Sequence, residues 1–356
     1  MRHPIRRAIP LTVAAALAAT GLAACGSGDA SDDATGSESA AESDQSITVY
    51  SGRSEDLVQP LLDQFTDETG IEIEVRYDNS ATMATQILEE GDRSPADVFF
   101  SQDAGALGAV AKEGLFAELP AEVLDLVPAQ YSAGTGEWVG VTARARVLVY
   151  NVDLVDEADL PESVFDLTDP EWKGAVGVAP TNASFQAFVT AIRVEHGDEA
   201  AEEFLAGLVA NDPEIRDGNG GILEEVNNGD LATGLINHYY VGELAAEQGV
   251  ALDELDARLH FFPGGDTGGL VNVAGVGVLE HAAEDPDVRA FVDFLLSQSA
   301  QEAFATQTYE YPLVEGVAGP EGLPTLDSLE APEIDLNDLD TLEATIAMIT
   351  ASGLVP

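Results

Sequence analysis

ITVYSGRSEDLVQPLLDQFTDETGIEIEVRY, residues 47–77, changes its hydrophobic period twice. Residues 47–51 read as a short apolar strand, and Gly52 follows it with the helix-start signal Ser54-Glu55-Asp56. Leu57, Val58, Leu61, Leu62 and Phe65 then recur at helical spacing up to Gly70, and residues 71–77 return to strand. Pro60 argues for a bend in that helix, because proline offers no N–H and its ring crowds the preceding turn. Further on, residues 81–90 read as helix, 97–101 as strand and 104–113 as helix. Strand alternating with helix is the pattern of an α/β lobe.

The alternation is then repeated. Residues 139–150 form a long apolar strand carrying Arg144 and Arg146 at period-two spacing, which places both guanidinium groups on one face. Strands at 175–178 and 232–237 interleave with helices at 185–195, 199–209 and 222–227, and a helix at 239–248 follows. A strand at 270–279 and helices at 288–296 and 300–306 come next. Leu339, Leu342, Ile346 and Ile349, at spacings 3, 4 and 3, predict a closing amphipathic helix. Two alternating series in 356 residues, above the roughly 250 at which single cores stop growing, predict two lobes. The cleft between them is the natural functional surface.

With 65 Asp+Glu against 14 Lys+Arg, the formal net charge is -51, which excludes a nucleic-acid binder that covers phosphates with basic side chains. Hydrophobic residues make up 45 % of the chain, enough for sizeable cores. The single cysteine, Cys25, excludes an internal disulfide and any cysteine-rich metal site. Arg2, Arg6 and Arg7 precede an apolar run at 8–22 that leads into Leu22-Ala23-Ala24-Cys25, so residues 1–24 read as a secretory signal. The tetrad resembles a lipoprotein signal-peptidase box, which would make Cys25 the lipidated first residue of the mature chain. An acyl chain gains about 0.8 kcal/mol per buried methylene, so several would hold the protein on the membrane. Residues 25–46 lack large apolar side chains and read as a disordered acidic tether.

The stretch with most chemistry is Asn237-His238-Tyr239-Tyr240, where a strand ends and a helix starts, the place at which ligands meet open α/β sheets. A phenol with a pKa near 10 is normally neutral, but a trivalent cation strongly favours the anionic form and prefers hard oxygen donors. Taken alone, a Tyr-Tyr pair reads first as core packing or a stacking wall. His238 should point away from the tyrosines and is read as structural.

Around this pair the chain resembles the bacterial ferric-ion-binding proteins that serve ABC-type importers. The matching stretches are VYSGR (49–53), ADVFFSQDAGAL (96–107), WVGVTARARVLVYN (138–151) and DPEWKGAVGVAPTNASFQ (169–186). They continue with INHYY (236–240), FFPGGDTGGLVNVAGVGV (261–278) and YEYP (309–312). The resemblance implies a two-lobed periplasmic-binding-protein fold, of the type II solute-binding class, with a hinge and a central cleft closing on one ferric ion. Lobe I is expected at 47–146 plus 271–320 and lobe II at 147–270 plus 321–356.

Carried over by position, Tyr239 and Tyr240 become the iron ligands. Ser54 stands where some members have histidine, Glu55 where others have tyrosine, Gln102 at the place of a glutamate ligand, and Phe185 at that of a third tyrosine. The remaining coordination then falls to an anion, water or a nearby carboxylate such as Asp103 or Glu55. The family's synergistic anion, carbonate or phosphate, maps to Asn182, Ala183 and Ser184 at a helix start, with Asn219 and Asn237. Without the resemblance, the same short polar run reads first as a helix N-cap. Arg53, Arg144 and Arg146 either balance the anion or brace the hinge. The implied partners are a permease and its cytoplasmic ATPase, with the carrier monomeric and lipid-anchored outside the cytoplasm. The same fold could hold a polyamine, sugar, thiamine or oxyanion instead. No nucleophile elbow, P-loop, HExxH or dinucleotide fingerprint is present, so the chain does not read as an enzyme.

Overall fold

The computed structural model describes residues 46–355, so the expected leader, Cys25 and nearly all of the tether lie outside the described residues. Strand β1 (Ser46–Ser51) leads into helix α1 (Glu55–Thr69), and β2 (Glu72–Tyr77), α2 (Ser80–Glu90), β3 (Val98–Ser101) and α3 (Ala104–Lys112) continue the alternation. A single turn, α4 (Ala121–Leu124), precedes the long strand β4 (Trp138–Asn151). The second series is β5 (Val176–Val178), α5 (Ala183–His196), α6 (Asp198–Ala210), β6 (Glu214–Ile215), α7 (Asn219–Asn228), β7 (Thr233–Asn237), α8 (Tyr239–Gln248) and β8 (Ala257–His260). It is followed by β9 (Val271–Val278), α9 (Pro286–Leu295), α10 (Gln298–Gln307), β10 (Tyr311–Pro312) and α11 (Leu342–Ser352).

Helix α1 ends on Gly70 in the left-handed region (φ 77), whose N–H donates to the Thr66 carbonyl. The bend expected at Pro60 does not break it. Pro60 lies in the second turn on the exposed face, where the Asp56 carbonyl that loses its donor is open to water.

β4 holds the two lobes together. Its first part, Trp138 to Ala145, pairs antiparallel with β9, while Ala143 and Thr142 also meet β10. Its second part, from Arg146 onward, pairs with β7 on one side and β8 on the other. The sheet order β2-β1-β3-β9-β4-β7-β5-β6 therefore runs from one lobe into the next through a single strand. All 14 residues of β4 are buried, which is why it reads as a nearly unbroken apolar run. Phe65 packs against Phe291 and Phe294 in the first lobe, and Phe188 packs edge-on against Phe185 and Phe204 in the second.

The chain passes between the lobes twice more. One passage is at Leu270, whose carbonyl accepts from the Arg146 N–H at 2.8 Å. The other is the carboxyl-terminal segment. Its 3-10 turn Leu336–Asp340 packs on α3, with Trp138 Nε1 donating to Asn337 Oδ1 (3.2 Å) and Lys112 paired with Asp340 (2.7 Å). α11 then packs on α5 and α6. This differs from the single closing helix expected from residue 339. Leu339 is buried in the turn, Ile346 faces outward, and the buried face of α11 carries Thr345 and Ile349. Thr345 fits there because its hydroxyl meets that of Thr190 at 2.8 Å.

His238 pins the junction of β4, α8 and the segment before β10. Its Nδ1 accepts from the Ala145 N–H (3.1 Å), so Nε2 carries the proton and donates to the Tyr309 carbonyl (3.0 Å). Its ring stacks on Tyr311 at 4.4 Å, and burial pushes its pKa down to about 4, so it is neutral and structural. Tyr309 itself has φ 55, and a Cβ added at Gly242 would lie 2.2 Å from its ring. Gly242 is what allows α8 to approach that ring. Gly242→Ala is expected to lower stability by about 1–3 kcal/mol through overpacking, measured by urea unfolding.

Candidate functional site

Tyr239 opens α8 directly after β7, and Tyr240 follows it. Their rings are stacked, with centroids 4.3 Å apart and planes 25° from parallel. Tyr239 is buried and Tyr240 is partly open. Burial, and then the neighbouring Tyr240, push the Tyr239 phenol well above its ordinary value, so in the empty site it keeps its proton.

Both rings wall a cavity of about 690 Å³ that is also lined by Arg53, Ser54, Gln102, Asn182, Ala183 and Ser184. Behind it lies a chamber of about 20 Å³, room for about one water, where Asp103, Arg144, Arg146, Asn237 and Asn272 meet Gln102, Ala183 and Ser184. The structure thus brings together residues from α1, α3, β4, α5, β7 and α8 that are far apart in sequence. Asn219 reaches the same place by donating from Nδ2 to Ser184 Oγ at 3.0 Å.

The N-cap reading of residues 182–184 is correct: Asn182 Oδ1 accepts from the Ser184 N–H (2.9 Å) and from its hydroxyl (2.7 Å). The cap leaves one backbone donor at the helix start free. Ala183 is the first residue of α5, so its N–H has no acceptor within the helix, and it lines both cavities. Asn219 Oδ1 is buried without a hydrogen bond. Asp103 is less available, since its carboxylate caps α3 by accepting from the Ala106 N–H at 2.9 Å, while burial pushes its pKa up.

The three arginines divide by partner. Arg53 forks onto Glu310, Nη1 to Oε1 at 2.9 Å and Nη2 to Oε2 at 2.6 Å, with neither side chain exposed. Arg144 shares that carboxylate at 3.5 Å and donates to the Gln102 carbonyl. Burial pushes Glu310 up, but Arg53 and Arg144 outweigh it and hold the carboxyl below its usual range. Arg146 has no carboxylate. It donates to Ser184 Oγ (3.0 Å), Asn237 Oδ1 (3.4 Å) and the Leu235 carbonyl (2.8 Å), and its Nε is buried unpaired. Phe185 and Phe188 flank its guanidinium at 5.9 and 5.7 Å, and burial pushes its pKa down to about 9. Phe185, at the position of a third tyrosine, therefore serves as a wall for Arg146.

Glu310 and Glu243 are among the carboxylates at this place that escaped the sequence reading. Glu310 lies in a loop with no local signal. Glu243 lies one turn after the tyrosines on α8 and lines the same cavity, and the i, i+3 and i, i+4 spacings carried that information. Burial and then Glu310 push its pKa up to about 7, against the pull of Arg53. Among the described residues no group of three or more His, Cys, Asp and Glu could hold a metal.

A profile of the family described as bacterial extracellular solute-binding protein matches residues 93–331. The chain belongs to this family. Among its relatives, the Fe(3+)-binding periplasmic protein of Serratia marcescens is 34 % identical over 89 % of this chain and 93 % of its own length. The major ferric iron-binding protein of Neisseria meningitidis serogroup B is also 34 % identical, over 86 % of this chain and 93 % of its own. Iron-bound HitA from Pseudomonas aeruginosa superposes with a TM-score of 0.81 at 37 % identity, covering 86 % of this chain and 99 % of HitA. A Trichodesmium protein in complex with iron and citrate gives 0.74 at 29 % identity, over 87 % of this chain and 100 % of that one. The expected resemblance and the two-lobed type II fold are both borne out, and these relatives of the solute-binding chain are binding proteins, not enzymes.

Glu310→Gln would leave two buried guanidinium groups without their counter-ion. It is expected to cost about 3–5 kcal/mol in urea unfolding, far more than replacing the exposed Lys112 that pairs with Asp340.

Proposed function

We propose that this chain is the extracytoplasmic solute-binding component of an ABC importer and captures Fe(III) between its lobes through the phenolate oxygens of Tyr239 and Tyr240. The observation that carries the reading is the stacked tyrosine pair at the mouth of α8, in a cavity whose inner end holds Arg146 without a carboxylate. The names of the Serratia and Neisseria relatives and the iron-bound HitA structure support it.

The chemistry follows from charge and hardness. A trivalent ion displaces the phenolic proton that burial otherwise retains on Tyr239, because an adjacent cation reverses the penalty on the anionic form. Iron then adds positive charge beside Arg53, Arg144 and Arg146, of which only the first two share a deep carboxylate. An anion offsets that excess. Carbonate or phosphate would accept from the Ala183 N–H, Ser184, Asn219, Asn237 and Arg146 while lending oxygens to the metal. On the expected lobe division, 47–146 plus 271–320 against 147–270 plus 321–356, the tyrosines and residues 182–184 belong to lobe II and Arg53, Ser54, Gln102 and Asp103 face them from lobe I, although the turn at 336–340 packs on α3 of lobe I. Closure brings both sets to the ion, so bound ligand favours the closed form by its differential affinity.

Delivery goes to a membrane permease driven by a cytoplasmic ATPase. Cys25 would carry the lipid anchor, the 25–46 tether would keep the monomeric carrier near that partner, and Cys25→Ala is expected to move the protein from the detergent phase to the aqueous phase on partitioning.

A second reading, an oxyanion solute without metal, is favoured by the unpaired Arg146 alone. Two measurements separate them. Ferric citrate with bicarbonate or phosphate should give the apo-protein a visible phenolate-to-iron band that Tyr239→Phe and Tyr240→Phe diminish. A colourless protein that phosphate nevertheless stabilises would favour the oxyanion. Under the iron reading, bicarbonate or phosphate at 100 times its dissociation constant adds about 2.7 kcal/mol of apparent stability, and Arg146→Met abolishes most of it.

A further inference from the structure

Two phenolates leave a ferric ion short of donors, and the cavity shows where another stands. Of the positions expected to complete the shell, Gln102 spends its Oε1 on Arg53 Nη1 (3.3 Å), Phe185 is buried against Arg146, and Asp103 caps α3. Ser54 offers only a neutral hydroxyl, and Glu55 is exposed in the first turn of α1.

Glu243 is differently placed. It lies four residues after Tyr239 and three after Tyr240, so all three side chains share one face of the first turns of α8. All three line the same cavity. Glu243 is half-buried, and among the described residues it makes no hydrogen bond or ion pair. The charged groups nearest it, Arg53 and Glu310, already satisfy each other through a two-pronged pair. A carboxylate held in a cleft without a partner, one helical turn from two phenols, has the hard oxygen that ferric iron prefers.

We propose that Glu243 is a third protein ligand to the ferric ion, so that a single helix of lobe II supplies a Tyr-Tyr-Glu donor face. The inference rests on the tyrosine reading of the preceding section. It has a mechanical consequence: the ion is held by lobe II before closure, and lobe I adds its groups afterwards.

The test uses the purified full chain loaded with ferric citrate and bicarbonate, comparing wild type, Glu243→Gln and Glu55→Gln by visible spectrum and by iron loss to added citrate. Glutamine keeps the shape and removes the charge, and apo-protein unfolding by urea checks that the fold is intact. In Glu243→Gln the phenolate band is expected to persist but move to longer wavelength, because an iron centre with one anionic donor fewer accepts charge more readily. Iron should be lost at about tenfold lower citrate concentration, the lower end of what even indirect supports of a metal site cost. A Glu243→Gln protein that matches wild type in both band and citrate competition overturns the inference, as does a loss carried by Glu55→Gln alone. A wild-type protein without any band overturns the tyrosine reading as well, so the two failures are distinguishable.

Discussion

The carboxylate of Glu310 has no exposure to solvent and sits between the guanidinium groups of Arg53 and Arg144, which come from the loop after β1 and from the middle of β4. Burying any one of these charges alone would be prohibitive, so the loop, the strand and the segment before β10 are fixed together or not at all. The floor of the cavity is built on that joint. Gln102 is held by both arginines, and Tyr239 packs above them with its phenol in the field of Arg53 and Arg144.

Placement of the third arginine follows from β4 itself. Two residues along a strand return a side chain to the same face, so Arg146 opens into the chamber beside Arg144, but it lies where the strand has passed from one lobe's pairing to the other's. Arg144 therefore shares a carboxylate from the first lobe, and Arg146 meets only neutral donors and acceptors of the second. One alternation along one strand thus leaves one balanced cation and one unbalanced cation a short step apart. The unbalanced one faces the start of α5 and the tyrosines.

Much of this was legible in the sequence because it is local. Helix α8 begins and ends at the residues its pattern indicated, α1 stops at Gly70, and the Arg144/Arg146 face follows from spacing alone. Features set by distant partners were not legible. β6 and β10 are two-residue strands that exist only because β5 and β4 offer them hydrogen bonds. In α11 the buried position is Thr345, not Ile346, because a hydroxyl of α5 waits there. Asn182 is the N-cap that its short polar run suggested, and capping leaves the Ala183 N–H directed at the two cavities that Ala183 lines. Glu310 carried no signal, since its role depends on arginines more than 160 residues away in the chain.

The carboxyl-terminal segment ties together parts of the molecule that the sheet alone does not. Two neighbouring chain passages alone, at β4 and Leu270, would act like a door on one pivot line, free to swing widely. A third, running from the turn on α3 to the helix on α5 and α6, is anchored at both ends by Lys112, Trp138, Thr190 and Arg193. It forms a strap, with the single residue Thr341 joining the turn on α3 to the helix on α5 and α6. A strap of that length ties the turn on α3 to α5 and α6 independently of β4 and Leu270.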